Sequence, residues 1–119
     1  MNSYEFSRTD RINEQVKREL SVLIRNEVKD PRVTQVSILE VRVTKDLSKA
    51  KVYFDTLDDE NAQKCEISLN HAANFLRNRL GRLMNLRMIP QLFFIYDETE
   101  KEANELSKMI DKAIASDNK

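Results

Sequence analysis

The sequence has one glycine, two prolines, one cysteine, one histidine and no tryptophan in 119 residues. So little glycine and proline leaves small room for long irregular loops. It also rules out a phosphate cradle built from several closely spaced glycines. A lone cysteine excludes an internal disulfide and a thiolate metal cluster. A lone histidine excludes paired-histidine metal spacing. No apolar run approaches the roughly 18 residues of a membrane span, and the opening MNSYEFSRTD lacks the apolar stretch of a signal peptide. These absences point to a cytoplasmic protein without metal, cofactor, membrane or small-molecule ligand.

What is present is a sequence that is 40% hydrophobic and 34% charged, with 20 basic residues balancing 20 acidic ones. That mixture suits a folded single domain over residues 1–119, large enough to bury roughly two thirds of its unfolded surface. Ile12, Val16, Leu20, Leu23, Ile24 and Val28 recur at three and four, one face of a helix over 8–28. Thr9 or Asp10 caps its start. Lys29-Asp30-Pro31-Arg32 ends it, because the residue before proline is pushed out of the helical region. The period then changes to two. Leu39, Val41 and Val43 oppose Glu40 and Arg42 over 36–43, and Val52 and Phe54 oppose Lys51, Tyr53 and Asp55 over 50–57. The polar stretch 44–49 joins these strands into an antiparallel hairpin.

Asp58-Asp59-Glu60 opens a second helical pattern that runs through Leu86, acids suiting the positive end of the dipole. Cys65 lies in its apolar stripe with Ala62, Leu69, Ala72 and Leu76 and reads as core, whereas His71 reads as surface. After Pro90, residues 91–96 form a short strand. A last helix follows Asp97-Glu98 with Ala103, Leu106, Ile110 and Ala113 as its stripe. The predicted order is α-β-β-α-(α)-β-α, an α+β layer with helices on one face of a three-stranded sheet.

Charge is unevenly distributed along this order. HAANFLRNRLGRLMNLRMIP, residues 71–90, holds four arginines and no acid, a local +4 in a neutral chain. On a helical wheel Phe75, Leu76, Leu80, Leu83 and Met84 take one side, and Arg77, Asn78, Gly81, Arg82 and Asn85 the other. Guanidinium groups there would hold phosphates bidentately, and the asparagine amides would reach riboses or base edges. A mid-helix glycine costs about 1 kcal/mol against alanine. Gly81 either lets a nucleic-acid backbone approach closely or avoids a clash with another helix. Arg8, Arg11, Arg18 and Arg25 align on the first helix with Gln15 and Val22, opposite its apolar stripe, with Glu14 and Glu19 partly neutralising them. Lys45, Lys49 and Lys51 add charge around the hairpin turn.

Three stretches, KDPRV at 29–33, VRVTKDLSKAKVYF at 41–54 and RLGRLMNLRMIPQLFFIYDET at 79–99, fall in the order found in the ribosome-binding factor A family. The sequence resembles that family over nearly its full length. The resemblance implies a KH-like fold of type II topology, binding to 16S ribosomal RNA in the immature 30S subunit, and help with late maturation of the 16S 5′ end, particularly in the cold. It implies a monomer, with an assembly GTPase as a further partner. Arg77, Asn78, Gly81, Arg82 and Arg87 become the central RNA contacts, with Arg8, Arg11, Arg32 and Lys45 around them. An ordinary KH domain clamps nucleic acid with a Gly-x-x-Gly loop, which one glycine cannot supply. The family uses an Ala-x-Gly kink instead, and the corresponding triplet here is Ala72-Ala73-Asn74. Asparagine tolerates glycine-like angles, so a kink at Asn74 stands against an unbroken helix through 71–76.

The competing function is a protein-interaction module whose arginines only confer solubility. An enzyme is disfavoured, because there is one histidine, one cysteine in an apolar stripe, no phosphate-cradling glycine loop and no metal-ligand spacing, and the carboxylates at 58–60 and 97–102 read as helix starts.

Overall fold

A computed structural model describes residues 7–33, 35–98 and 109–110. Helix α1 (Arg8–Glu27) is followed by strands β1 (Val36–Val43) and β2 (Lys49–Thr56). A single 3-10 turn (Asp59–Asn61) leads into α2 (Ala62–His71), then α3 (Ala73–Leu83) and β3 (Gln91–Tyr96). The sheet order is β1-β2-β3, with β1 antiparallel and β3 parallel to the central strand. This is the KH-like type II arrangement. The predicted last helix and its stripe lie outside the described residues, apart from helical, exposed Met109 and Ile110.

Helix α1 starts where its period predicts, but its cap lies two residues before Thr9. The Ser7 hydroxyl accepts from the Asp10 backbone N–H and the Asp10 carboxylate accepts from the Ser7 N–H, each at 3.1 Å. This reciprocal capping box assigns the cap to Ser7 and leaves Thr9 inside the helix. In β1 the expected alternation fails at Leu39. Ile38 pairs with Phe54 and Glu40 with Tyr53, so Leu39 is the extra residue of a β-bulge. Ile38, not Leu39, therefore joins Val41 and Val43 in the core.

The hairpin turn holds Leu47 at φ 62, a conformation that costs a branched side chain roughly 1–2 kcal/mol. The Asp46 carboxylate braces it, accepting from the Thr44 hydroxyl and from the backbone and hydroxyl of Ser48. Leu47 meanwhile packs against the core.

Helices α1 and α3 pack side by side, α1 over β1 and α3 over β3, with α2 alongside β3. Val16, Leu20, Val52, Phe54, Leu69, Leu76 and Leu80 are fully buried between the layers. Cys65 is buried there too, and His71 is exposed. Both outer strands have helix side chains on their edges. Asn13 accepts from the Val43 N–H at 2.8 Å, and Asn70 bonds both the N–H and the carbonyl of Phe94, at 2.9 and 3.0 Å. Glu66 accepts from the Tyr96 N–H at 2.8 Å. Unpaired strand edges invite pairing with another chain, and these side chains bond part of each edge.

Candidate nucleic-acid interface

The acid-free segment 71–90 is not one continuous helix. Helix α2 ends at His71, and Ala72 adopts φ −86, ψ 0 before α3 begins at Ala73. The Ala72 N–H reaches the carbonyls of both Ser68 and Leu69 at 3.1 Å, so the break is made in right-handed backbone. Gln35 and Leu47 are the positive-φ residues among those described. Asn74 is thus an ordinary, exposed residue of the first turn of α3, and the kink falls at Ala72. Ala72 and Ala73 pack against the core, where small side chains let the two helices meet. At its other end the helix stops at Leu83, short of Leu86, because Met84 is extended.

Helix α3 is rotated from the predicted wheel. Leu76, Leu80 and Met84 are buried, but Phe75 is 42% and Leu83 52% exposed. Arg77 does not face solvent freely. Its Nε and Nη2 donate to the Ile89 carbonyl at 3.1 and 2.9 Å, closing the loop 84–90 back onto the helix. Gly81, one turn on, faces the same residue: an added Cβ would lie 3.1 Å from Ile89 Cγ1. The absent side chain makes room for the protein's own loop, the clash-avoiding alternative with a loop in place of a helix. Both residues thus have a task within the chain.

The outward strip of α3 is Asn78 and Arg82, both exposed, together with Phe75 and Arg79. Arg79 lies over the Phe75 ring at 5.1 Å and forms a 3.5 Å ion pair with Glu27 at the end of α1. That pair ties the two helices together and uses a cation from the predicted cluster. Arg87, in the following loop, is exposed. On α1, Arg8, Arg11, Arg18 and Arg25 are all exposed, and no described carboxylate pairs with them or with Arg82 or Arg87. Because α1 and α3 are neighbours in one layer, their outward arginines share the helical side of the molecule.

Arg32 is already engaged. It makes a two-pronged contact with Asp30, Nε at 3.0 Å and Nη2 at 2.9 Å, and its backbone N–H bonds the same carboxylate. These bonds hold the Asp30 carboxyl down at about 2. The pair staples the turn after α1 and reduces what Arg32 can offer a phosphate. Lys45 is exposed in the hairpin turn, which belongs to the sheet.

The sheet face away from the helices carries residues that strand alternation exposed but whose cross-strand neighbours no linear pattern supplied. Arg42 stands directly opposite Lys51, and Lys51 opposite Phe93. Arg42 lies over the Tyr53 ring at 5.5 Å and bonds Glu40 through Nε at 2.7 Å. No group of His, Cys, Asp or Glu among the described residues is arranged to hold a metal, and no described helix is long and apolar enough to cross a membrane.

Comparison with known proteins gives one consistent answer. The family description of ribosome-binding factor A matches residues 8–110. A ribosome-binding factor A from Nitrosomonas europaea is 49% identical over 113 residues, covering 94% of this chain and 97% of the relative. The crystal structure of ribosome-binding factor A from Thermus thermophilus superposes with a TM-score of 0.68 at 28% identity, over 76% of this chain and 97% of that one. A Thermus thermophilus homology model of the same factor, fitted into a cryo-electron microscopy map of its complex with the 30S subunit, matches with a TM-score of 0.60 at 30% identity, over 71% and 90% of the two chains.

Proposed function

This chain belongs to the ribosome-binding factor A family, and from that membership we propose that it is a non-catalytic assembly factor of the small ribosomal subunit. It binds 16S ribosomal RNA in the immature 30S particle and assists late maturation of the 16S 5′ end, with the greatest demand in the cold. It works in the cytoplasm as a monomer, without cofactor, and an assembly GTPase acts alongside it.

The observation that carries this reading is the outer face of α1. Arg8, Arg11, Arg18 and Arg25 are exposed there without a described carboxylate partner, and Asn78 and Arg82 face outward on the neighbouring helix. In a chain of zero net charge, several guanidiniums on one side, none of them held in a described ion pair, form a local positive field suited to phosphate. A rigid helix pair positions them without loss of backbone entropy on binding. Such a factor acts by differential affinity, stabilising the RNA arrangement it fits best. The fitted Thermus thermophilus complex supports the same target.

The test is a triple charge reversal, Arg18→Glu, Arg25→Glu and Arg82→Glu, at exposed positions away from the Ile89 contacts. Expected are loss of co-sedimentation with 30S subunits, an unchanged circular dichroism melt, and a salt dependence shallower by about 0.7 to 0.9 in log–log slope for each phosphate contact removed. Undiminished subunit binding by this folded variant overturns the reading. Absence of saturable, salt-sensitive binding to ribosomal RNA fragments would favour the protein-interaction module instead.

A further inference from the structure

The sheet face that no described helix covers has an arrangement that the fold alone does not call for. Across β1, β2 and β3 one row reads Arg42, Lys51, Phe93 and the next Glu40, Tyr53, Ile95. Like charges directly opposite on adjacent strands are destabilising. Glu40 engages only Nε of Arg42, and no described residue forms an ion pair with Lys51. Lys49, one pleat away on the same face, is exposed as well. Beside these cations Phe93 leaves 38% of its surface open, a large aromatic displayed rather than packed. Tyr53, diagonal to it one strand over, is half-buried under the Arg42 guanidinium. Together they border a groove of about 650 Å³.

We propose that this open face is a second RNA surface, and that it takes an unpaired stretch of the chain. A base stacks on the open Phe93 ring, while a backbone phosphate lies between Arg42, which covers Tyr53, and Lys51. The phosphate relieves the repulsion of the two opposed cations, which accounts for their juxtaposition. Aromatic rings can offer stacking only to bases whose faces are free, and a broad sheet cannot enter the groove of an RNA duplex. The occupant is therefore single-stranded. Charge also sets its path. Lys45, Lys49 and Lys51 stand toward the hairpin turn, whereas Glu40, Asp55, Asp97 and Glu98 gather at the opposite end, so the backbone leaves over the turn. Lys45, which lies in the hairpin turn and not in the helix layer, acquires its role here.

The inference rests on the ribosomal RNA reading and deepens it by naming the kind of RNA. It is tested with the full chain and a fluorescein-labelled, unstructured RNA oligonucleotide, with a blunt duplex of equal length as the comparison. Expected is salt-sensitive binding of the oligonucleotide in preference to the duplex. Phe93→Ala should weaken it roughly 5- to 100-fold, the effect of losing one base stack. Lys51→Glu, at an exposed position that does not endanger folding, should weaken it as well. Equal affinity of both variants and the parent overturns the proposal, and so does equal affinity for duplex and single strand. Unchanged oligonucleotide affinity with reduced 30S co-sedimentation assigns the face to a protein component of the particle and equally overturns it. Failure of the parent chain to co-sediment with 30S subunits counts against the assembly-factor function, whereas the oligonucleotide measurement decides the sheet face by itself.

Discussion

Arg77 and Gly81 stand one turn apart on α3, and both act on Ile89, one through its carbonyl and the other through the space its side chain needs. In the sequence the same two residues look like the centre of an RNA contact, because residues 71–90 contain no acid that could occupy an arginine. A charge count cannot register a backbone carbonyl as the acceptor. Replacing Arg77 with Ala should therefore behave as a stability lesion, costing about 1 to 3 kcal/mol in denaturant unfolding as a partly buried carbonyl loses both donors. Binding of ribosomal RNA per folded molecule should be preserved. A variant that keeps its stability and loses RNA affinity would restore Arg77 to the interface. Arg32 illustrates the same limit at shorter range, since Asp30 two residues away already holds its guanidinium. Arg18, Arg25 and Arg82 are exposed, and no described carboxylate pairs with them.

Among the elements, the sheet edges depend on single side chains of the helices. Asn70 presents an amide to β3 as a neighbouring strand would, donating to the Phe94 carbonyl and accepting from its N–H. Asn70→Ala should lower stability by about 1 to 2 kcal/mol and leave this part of the edge unpaired. Sedimentation velocity should then show more concentration-dependent self-association than for the parent chain. Helical period identified α1 well because its buried stripe is long and regular. It was less reliable for α3, where Phe75 and Leu83 are apolar yet largely exposed and the loop 84–90 continues an apolar pattern after the helix has ended. The bulge at Leu39 escaped for a related reason: alternation assumes unbroken pairing, and one extra residue reverses the faces beyond it.

For the whole molecule, pH dependence follows from a few perturbed groups. Asp30 is held at about 2, chiefly by Arg32, and Asp46 at about 2, chiefly by the Thr44 hydroxyl, against an ordinary 3.8. Both carboxyls are lowered in the folded state, so their contribution is complete above the ordinary value and is lost as pH falls from there toward 2. Tyr96 is pushed up to about 12, first by burial and then by its hydrogen bond to Asp59. Its contribution is complete below the ordinary value of 10 and is lost as pH rises from 10 toward 12. Melting temperature should fall on both flanks. The acid flank should be shallower in a variant carrying Asp30→Asn and Asp46→Asn, and the alkaline flank shallower in Tyr96→Phe. Flanks identical to those of the parent would show that other groups govern the titration.

Periodicity, breaker residues and local charge are properties of neighbours along the chain, and they are enough to determine the order of elements through β3, the α1 core stripe and the hairpin, while three stretches of sequence carry the resemblance to the family. Which arginines remain free is a property of neighbours in space. It was decided only when the loop 84–90 folded onto α3, Glu27 met Arg79, and register set Arg42 against Lys51. Those contacts join residues 9 to 52 positions apart, and neither period nor composition carries information across such separations.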